Sequence, residues 1–162
     1  MSNVVILMRH GKAKQPREET IDFERELSEA GRRSLEATLP DALAFVPAKA
    51  TVQILSSPAT RAMQTAQAVL KACKKRGIGV ESTIETVNAL WEQDSDAFLD
   101  IARACEADVA LAVGHNPFIE ECCERLCGSR IVFATGGFAA IDLSIGTNRE
   151  GNEALGRLLW FA

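Results

Sequence analysis

Histidine is scarce in this chain: there are two in 162 residues, at positions 10 and 115. Positive charge is not in surplus either. Lys and Arg total 18 against 22 Asp and Glu, a net charge of −4. That balance speaks against a nucleic-acid binder, which carries a basic excess, and makes any functional positive charge local. No apolar run approaches the roughly 18 residues of a membrane span, so no membrane association is expected. The start, Met1-Ser2-Asn3, has no basic segment, and the apolar run after it holds five residues. This does not fit a signal peptide, and a cytoplasmic location is expected. Five cysteines, at 73, 105, 122, 123 and 127, include no CxxC pair. They are expected to pack as reduced, small apolar residues, with no metal site and no cofactor. Repeats, low-complexity segments and linkers are missing, so residues 1–162 are expected to form a single domain.

Short apolar runs are present, and they organise the chain. Val4 to Met8 is an unbroken apolar stretch that leads into Arg9-His10-Gly11. Val52 to Leu55 leads into Ser56-Ser57-Pro58, and Val109 to Val113 leads into Gly114-His115-Asn116-Pro117. Runs of this kind read as strands buried on both faces, as in a parallel sheet. Lys12 to Glu26 is polar and reads as a loop over the sheet end. Ser28 is a plausible N-cap for a helix carrying Leu35 and Leu39, which Pro40 is expected to break or kink. Ser57 before Pro58 reads as a cap for a second helix, with Ala62, Met63, Ala66, Val69, Leu70 and Cys73 on one face and Gly77 as its stop. Val80 to Ile84 is expected as an edge strand, and Ser95 as the cap of a helix over Asp96 to Cys105. A further helix follows Pro117, to about Leu126. Phe138 to Ser144 and Leu155 to Phe161 read as strands joined by a turn at Gly146 to Asn152. The alternation predicts an α/β fold with a mostly parallel sheet.

Each of the three apolar strands delivers polar groups at its carboxyl end, where open α/β sheets bind ligands. If the strands are neighbours, Arg9, His10, Ser57, Arg61, His115 and Asn116 converge on one edge. Both histidines of the chain fall there. Arginine is permanently charged and matches phosphate oxygens as a fork. The helix N-termini after Ser57 and Pro117 add free N–H groups. A histidine titrates near pH 6.5, so a neutral ring nitrogen is available to attack phosphorus at neutral pH. The pattern therefore points to phosphoryl chemistry through a phosphohistidine, with the second histidine donating to an equatorial oxygen. Gly11 is expected to let the backbone turn and approach the ligand closely.

Leu7-Met8-Arg9-His10-Gly11, Ser56-Ser57-Pro58-Ala59-Thr60-Arg61-Ala62-Met63-Gln64-Thr65-Ala66 and Gly114-His115-Asn116-Pro117 together resemble the motifs of the histidine phosphatase (phosphoglycerate mutase-like) superfamily. Arg25-Glu26-Leu27-Ser28-x-x-Gly31 and Ala134-Thr135-Gly136-Gly137 resemble its SixA-type branch, although Glu26 stands where that branch usually has proline. The resemblance implies a three-layer αβα sandwich. It implies His10 as the phosphorylated nucleophile, and Arg9, Arg61 and His115 as the rest of the phosphate pocket. Arg25 either points into that pocket or anchors its loop. Asn116 either orients His115 or caps the next helix, and capping is the better fit. Gly11 is expected beside the ligand, and Ser57 with it as a substrate-binding candidate, although a cap is the better fit for Ser57 and its neighbouring N–H groups are what would reach the ligand.

Larger members of the superfamily use a Glu to protonate the leaving oxygen. Glu92 falls in roughly that place, but reads more readily as a solvated residue beside Gln93 and Asp94. An imidazole leaving from phosphohistidine needs less protonation than an alkoxide. The chain also has little room for a deep lid. The expected substrate is therefore protein phosphohistidine, with a small phosphoester as the alternative and a non-catalytic phosphate-binding module as a third reading.

Overall fold

The strand at the amino end, β1 (Val4–Arg9), is buried along nearly its whole length. In the computed structural model, which describes residues 3–144 and 156–162, it lies inside a seven-stranded sheet. A short 3-10 turn at Asp22–Glu24 precedes helix α1 (Glu29–Leu43). Then come β2 (Thr51–Ser56), α2 (Thr60–Arg76) and two minimal strands, β3 (Gly79–Val80) and β4 (Glu85–Thr86). The helical turn α3 (Ala89–Glu92), α4 (Ser95–Ala104), β5 (Val109–Gly114) and α5 (Phe118–Cys127) follow. Strands β6 (Phe138–Asp142) and β7 (Arg157–Phe161) close the chain.

The main path through the sheet is β3-β2-β5-β1-β6-β7, with β4 also paired to β2. Strands β2, β5 and β1 are parallel neighbours, so the three predicted strand ends do meet on one edge. Strand β6 is antiparallel to β1, and β7 to β6. Alternate residues of the strands enter opposite cores, as the pleat requires. Ile6, Met8, Ile54, Leu111 and Val113 face α1 and α2, where they meet Leu35, Leu39, Ala66 and Val69. Val5, Leu7, Leu55, Ala110 and Ala112 face the other layer, with Leu90, Phe98, Phe118 and Ile119. This is the expected three-layer sandwich. Cys122 and Cys123 are core residues of α5, and burial pushes each thiol up to about 12. Among the described residues no helix is long and apolar enough to cross a membrane.

Several local expectations are corrected. Helix α1 continues through Pro40 to Leu43. Burial of Leu39, Ala42 and Leu43 offsets the hydrogen bond that proline forfeits in a helix interior. The strand expected over Val80–Ile84 is not formed: only Val80 is in a strand, β3, and the chain bends through Ser82, in a left-handed conformation (φ 49°), before β4 begins at Glu85. Helix α4 is capped by Asp94, one residue earlier than expected, whose Oδ1 accepts from the Ala97 N–H at 3.0 Å. Ser57 is not the N-cap of α2; that helix starts at Thr60 with Ala59 before it. The predicted turn at 146–152 lies outside the described residues.

Ser28 does cap α1. Its Oγ accepts from the Gly31 N–H at 3.0 Å and donates to the Lys12 carbonyl at 3.1 Å. A cap of this kind contributes about 1 kcal/mol. Here it also ties the residue after Gly11 to the head of α1. Residue 31 must be glycine: a Cβ there would lie 2.2 Å from the Lys12 carbonyl oxygen.

Candidate active site

The pocket is assembled at the carboxyl ends of β1, β2 and β5. His10 follows β1 directly and is 8 % exposed. Its Nδ1 lies 2.7 Å from the Gly11 carbonyl oxygen, and its Nε2 lies 3.2 Å from Nε of Arg61. A carbonyl can only accept and a guanidinium N–H can only donate. Both contacts therefore put the ring proton on Nδ1 and leave a lone pair on Nε2. Burial lowers the His10 pKa to about 4, opposed by the Gly11 carbonyl and aided by the charges of Arg61, Arg9 and Arg25. At neutral pH the ring is an uncharged base aimed at an arginine.

Arg61 sits in the first turn of α2, 5 % exposed. Its Nη1 donates to the Asp22 carbonyl oxygen at 2.7 Å, and its Nη2 to Asp22 Oδ2 at 3.1 Å. Arg9 closes the other side, with Nη1 donating to the Phe133 carbonyl at 2.9 Å. Its Nε is buried and without a partner among the described residues. The Gly136 N–H donates to both the Arg9 and His10 carbonyls, at 3.1 and 3.0 Å, so the segment around Gly136 braces this strand end.

His115 follows β5 and is likewise buried. Its ring centroid is 5.0 Å from that of His10. Its Nε2 is 2.8 Å from Ser57 Oγ, while its Nδ1 is buried without a partner among the described residues. Burial lowers its pKa to about 3, helped by His10, Arg61 and Arg9 and opposed by Asp22. Ser57 Oγ also accepts from the Ala59 N–H at 3.3 Å. The hydroxyl can either donate to His115 Nε2, with the imidazole N–H then on Nδ1, or accept from an Nε2–H.

The remaining predicted residues fall as follows. Gly11 is at the site, and its N–H donates to Thr65 Oγ1 at 3.0 Å. Its backbone is not left-handed; glycine here avoids a tight contact, since a Cβ would meet Leu35 Cδ1 at 2.9 Å and the leucine or the loop would have to shift. Arg25 is beside the pocket, its Nη2 3.1 Å from Asp22 Oδ1. Asn116 does not cap α5, whose N-cap position is Pro117. Instead its Nδ2 donates to Glu120 Oε1 at 2.6 Å and to the Phe133 carbonyl at 3.1 Å. Glu92 ends the α3 turn and is exposed.

Two residues at the site escape sequence reasoning. Asp22 bridges Arg61 and Arg25 from the 3-10 turn, a stretch whose sequence has no periodic signal. Trp91 stands edge-on to His115, with ring centroids 5.3 Å apart, and 6.0 Å from the Arg61 guanidinium carbon. Phe23 packs edge-on against Trp91, with ring centroids 5.1 Å apart. The aromatic pairing of positions 23 and 91 is visible only after folding.

A neutral imidazole flanked by arginines at the end of a mostly parallel sheet can bind an anion such as a phosphoryl group and offers it a nucleophilic nitrogen. The profile of the histidine phosphatase superfamily (branch 1) matches residues 5–94, more than half of the chain, and the chain belongs to that family. Among solved structures, the SixA protein of Agrobacterium tumefaciens, assigned as a phosphohistidine phosphatase, is 28% identical with a TM-score of 0.76. That alignment covers 100% of this chain and 98% of that one. A protein histidine phosphatase SixA complexed with tungstate is 21% identical, with a TM-score of 0.67 and coverage of 98% and 95%. A phosphoserine phosphatase of Entamoeba histolytica has the same fold at 15% identity and a TM-score of 0.60, over 98% of this chain and 95% of that one. No curated protein matches the sequence significantly. Family and fold support phosphatase activity.

Proposed function

We propose that the protein is a phosphatase that works through a covalent phosphohistidine on His10, and that its substrate is phosphohistidine in a protein. The observation that carries this reading is the state of His10: a buried, neutral imidazole with its proton fixed on Nδ1 by the Gly11 carbonyl and its lone pair on Nε2 beside Arg61. Arg9 and Arg61 bind the phosphoryl oxygens, with Arg25 adding charge at the rim. Nε2 of His10 attacks phosphorus in line, and the bond to the leaving nitrogen breaks. A substrate phosphohistidine protonated on its other ring nitrogen leaves as neutral imidazole, so no acid from the enzyme is required.

His115, whose ring centroid is 5.0 Å from that of His10, is the second imidazole of the pocket and donates to an equatorial oxygen as charge shifts in the transition state. Water then attacks the phosphoenzyme. Because His10 keeps its Nδ1 proton on the Gly11 carbonyl, it too departs as neutral imidazole, and the proton of water passes to phosphate. Neither half-reaction needs Glu92, whose exposed position agrees with a minor role. A small phosphoester is the second reading. It draws on the aromatic wall of Phe23 and Trp91 beside His115, which suits a compact organic group.

Labelling tests the proposal. Radiolabelled phosphoramidate or phosphohistidine protein is expected to give an acid-labile, base-stable phosphoenzyme that is lost in His10→Ala. No label from any donor would leave only the phosphate-binding module. Hydrolysis of phosphoserine or nitrophenyl phosphate at least as fast as of phosphohistidine protein would move the substrate to the ester class.

A further inference from the structure

A groove of about 630 Å³ runs between α1 and α2, apart from the phosphoryl chemistry. Its floor is apolar, formed by the half-buried Ala68 and Ala72 above the buried Leu35 and Leu39. Its rim is cationic: Arg32 on α1 and Lys71, Lys75 and Arg76 on α2 stand against one acid, Glu36. The chain as a whole is acidic, with a net charge of −4. None of the four cations is ion-paired to a carboxylate among the described residues. Helix electrostatics account for Lys75 and Arg76, in the last turn of α2, where the dipole favours positive charge. They do not account for Arg32, at the positive end of α1, or for Lys71, more than a turn from the end of α2.

The groove begins beside the active site. At that end Leu27 donates its N–H to Gln64 Oε1 at 2.8 Å, and Gln64 lies one turn beyond Arg61. From Gln64 to Arg76 the α2 axis extends about 18 Å at 1.5 Å per residue, the length of roughly three helical turns. A helix laid in an apolar groove with charged margins is a common recognition mode.

We infer that this groove docks the phosphorylated protein itself, by an amphipathic helix with an apolar face and Asp or Glu along its edges. The inference rests on the reading of a protein substrate. It makes the groove a specificity surface: the helix seats between α1 and α2 and brings its phosphohistidine over Arg61 and His10. Net positive charge against acidic edges sets the partner's orientation and raises its association rate.

The test uses two helical proteins of similar size, one acidic and one basic, each phosphorylated by phosphoramidate on a surface histidine. Phosphoramidate itself serves as the small N–P donor. Wild-type enzyme is expected to favour the acidic protein in kcat/KM by tenfold or more, and the preference is expected to shrink as salt rises. The Lys71→Glu/Lys75→Glu/Arg76→Glu variant is expected to lose that preference while turning over phosphoramidate at the wild-type rate. Ala72→Trp, which fills the groove without changing charge, is expected to lower kcat/KM for the acidic protein alone, by threefold or more. An unchanged preference in the triple variant overturns the inference. A loss in the triple variant with none in Ala72→Trp also overturns it, leaving only long-range steering. Charge-dependent binding to phosphatidylserine vesicles in place of any protein preference would assign the patch to a membrane surface and sink it too. Wild-type enzyme that hydrolyses phosphoramidate and neither phosphoprotein would instead refute the protein-substrate reading on which the inference stands.

Discussion

Asp22 occupies the fork that the phosphoryl group is expected to use, and replacing it with asparagine separates charge from shape. Both Asp22 oxygens engage guanidinium groups, Oδ2 with Arg61 and Oδ1 with Arg25, each at 3.1 Å. Its carbonyl holds Arg61 as well, at 2.7 Å, and that contact survives the substitution. Asp22→Asn therefore keeps Arg61 in place and removes one negative charge next to a dianion. Two anions on one guanidinium stand about 6 Å apart, and their repulsion is about 1.4 kcal/mol in a water-like dielectric. That dielectric is the right one, since the Asp22 side chain is 60% exposed. The expected result is an inhibition constant for phosphate or tungstate that falls up to about tenfold at low salt. At about 0.15 M salt, where the screening length is about 8 Å, roughly half of the effect in free energy remains, or about threefold. The assay is competitive inhibition of phosphoramidate turnover at two ionic strengths. An inhibition constant that rises at both would show that the carboxylate positions Arg61 more than it competes with phosphate, and the reasoning would fail.

Three further outcomes follow from the same contacts. His10 has a folded-state pKa of about 4 against an ordinary 6.5. The unfolded chain thus binds the proton first on acidification, and the stability associated with a neutral His10 is whole above pH 6.5 and lost as pH falls toward 4, about 3 kcal/mol in all. In denaturant titrations the stability of wild type minus that of His10→Ala should fall by about 3 kcal/mol across that window; parallel curves would contradict the depressed pKa. Gly31→Ala places a methyl group 2.2 Å from the Lys12 carbonyl oxygen, and is expected to cost about 3 kcal/mol and lower Tm by several degrees. A Tm within a degree of wild type would refute that packing. Glu92→Gln is expected to leave kcat within twofold on both phosphoramidate and a phosphoester, because the side chain is exposed. A selective loss on the ester would make Glu92 the general acid.

What was legible in the sequence is what local pattern encodes. Five apolar residues before Arg9 and five before Gly114 can only be accommodated between two cores, so strand, burial and site edge come together from one short motif. The parallel direction of β1, β2 and β5 follows because helices cross over between them and return the chain to the same edge. Ser57 was misread because a serine before proline is a helix-start signal by itself. Its tertiary partner, His115 Nε2 at 2.8 Å, lies 58 residues away and leaves no local trace. The same applies to Asp22 and Trp91. Each is defined by whom it meets across the pocket, and neither periodicity nor capping preference acts over that separation.

One contact links the sequence motif to the chemistry more closely than the arginines do. Any phosphate-binding protein can place arginines around an anion, but a binder has no use for a fixed imidazole tautomer. Here the Gly11 carbonyl and Arg61 Nε specify the tautomer from opposite sides of the His10 ring. A Cβ at residue 11 would meet Leu35 Cδ1 at 2.9 Å and Leu27 Cδ2 at 3.2 Å, so a side chain there must displace one of them or the loop. Gly11→Ala is therefore expected to push the loop off Leu35 and loosen the Nδ1 contact. Loss of phosphoenzyme formation with retained tungstate binding is the outcome that separates a catalyst from a binder. Equal loss of both would mean that residue 11 only shapes the pocket.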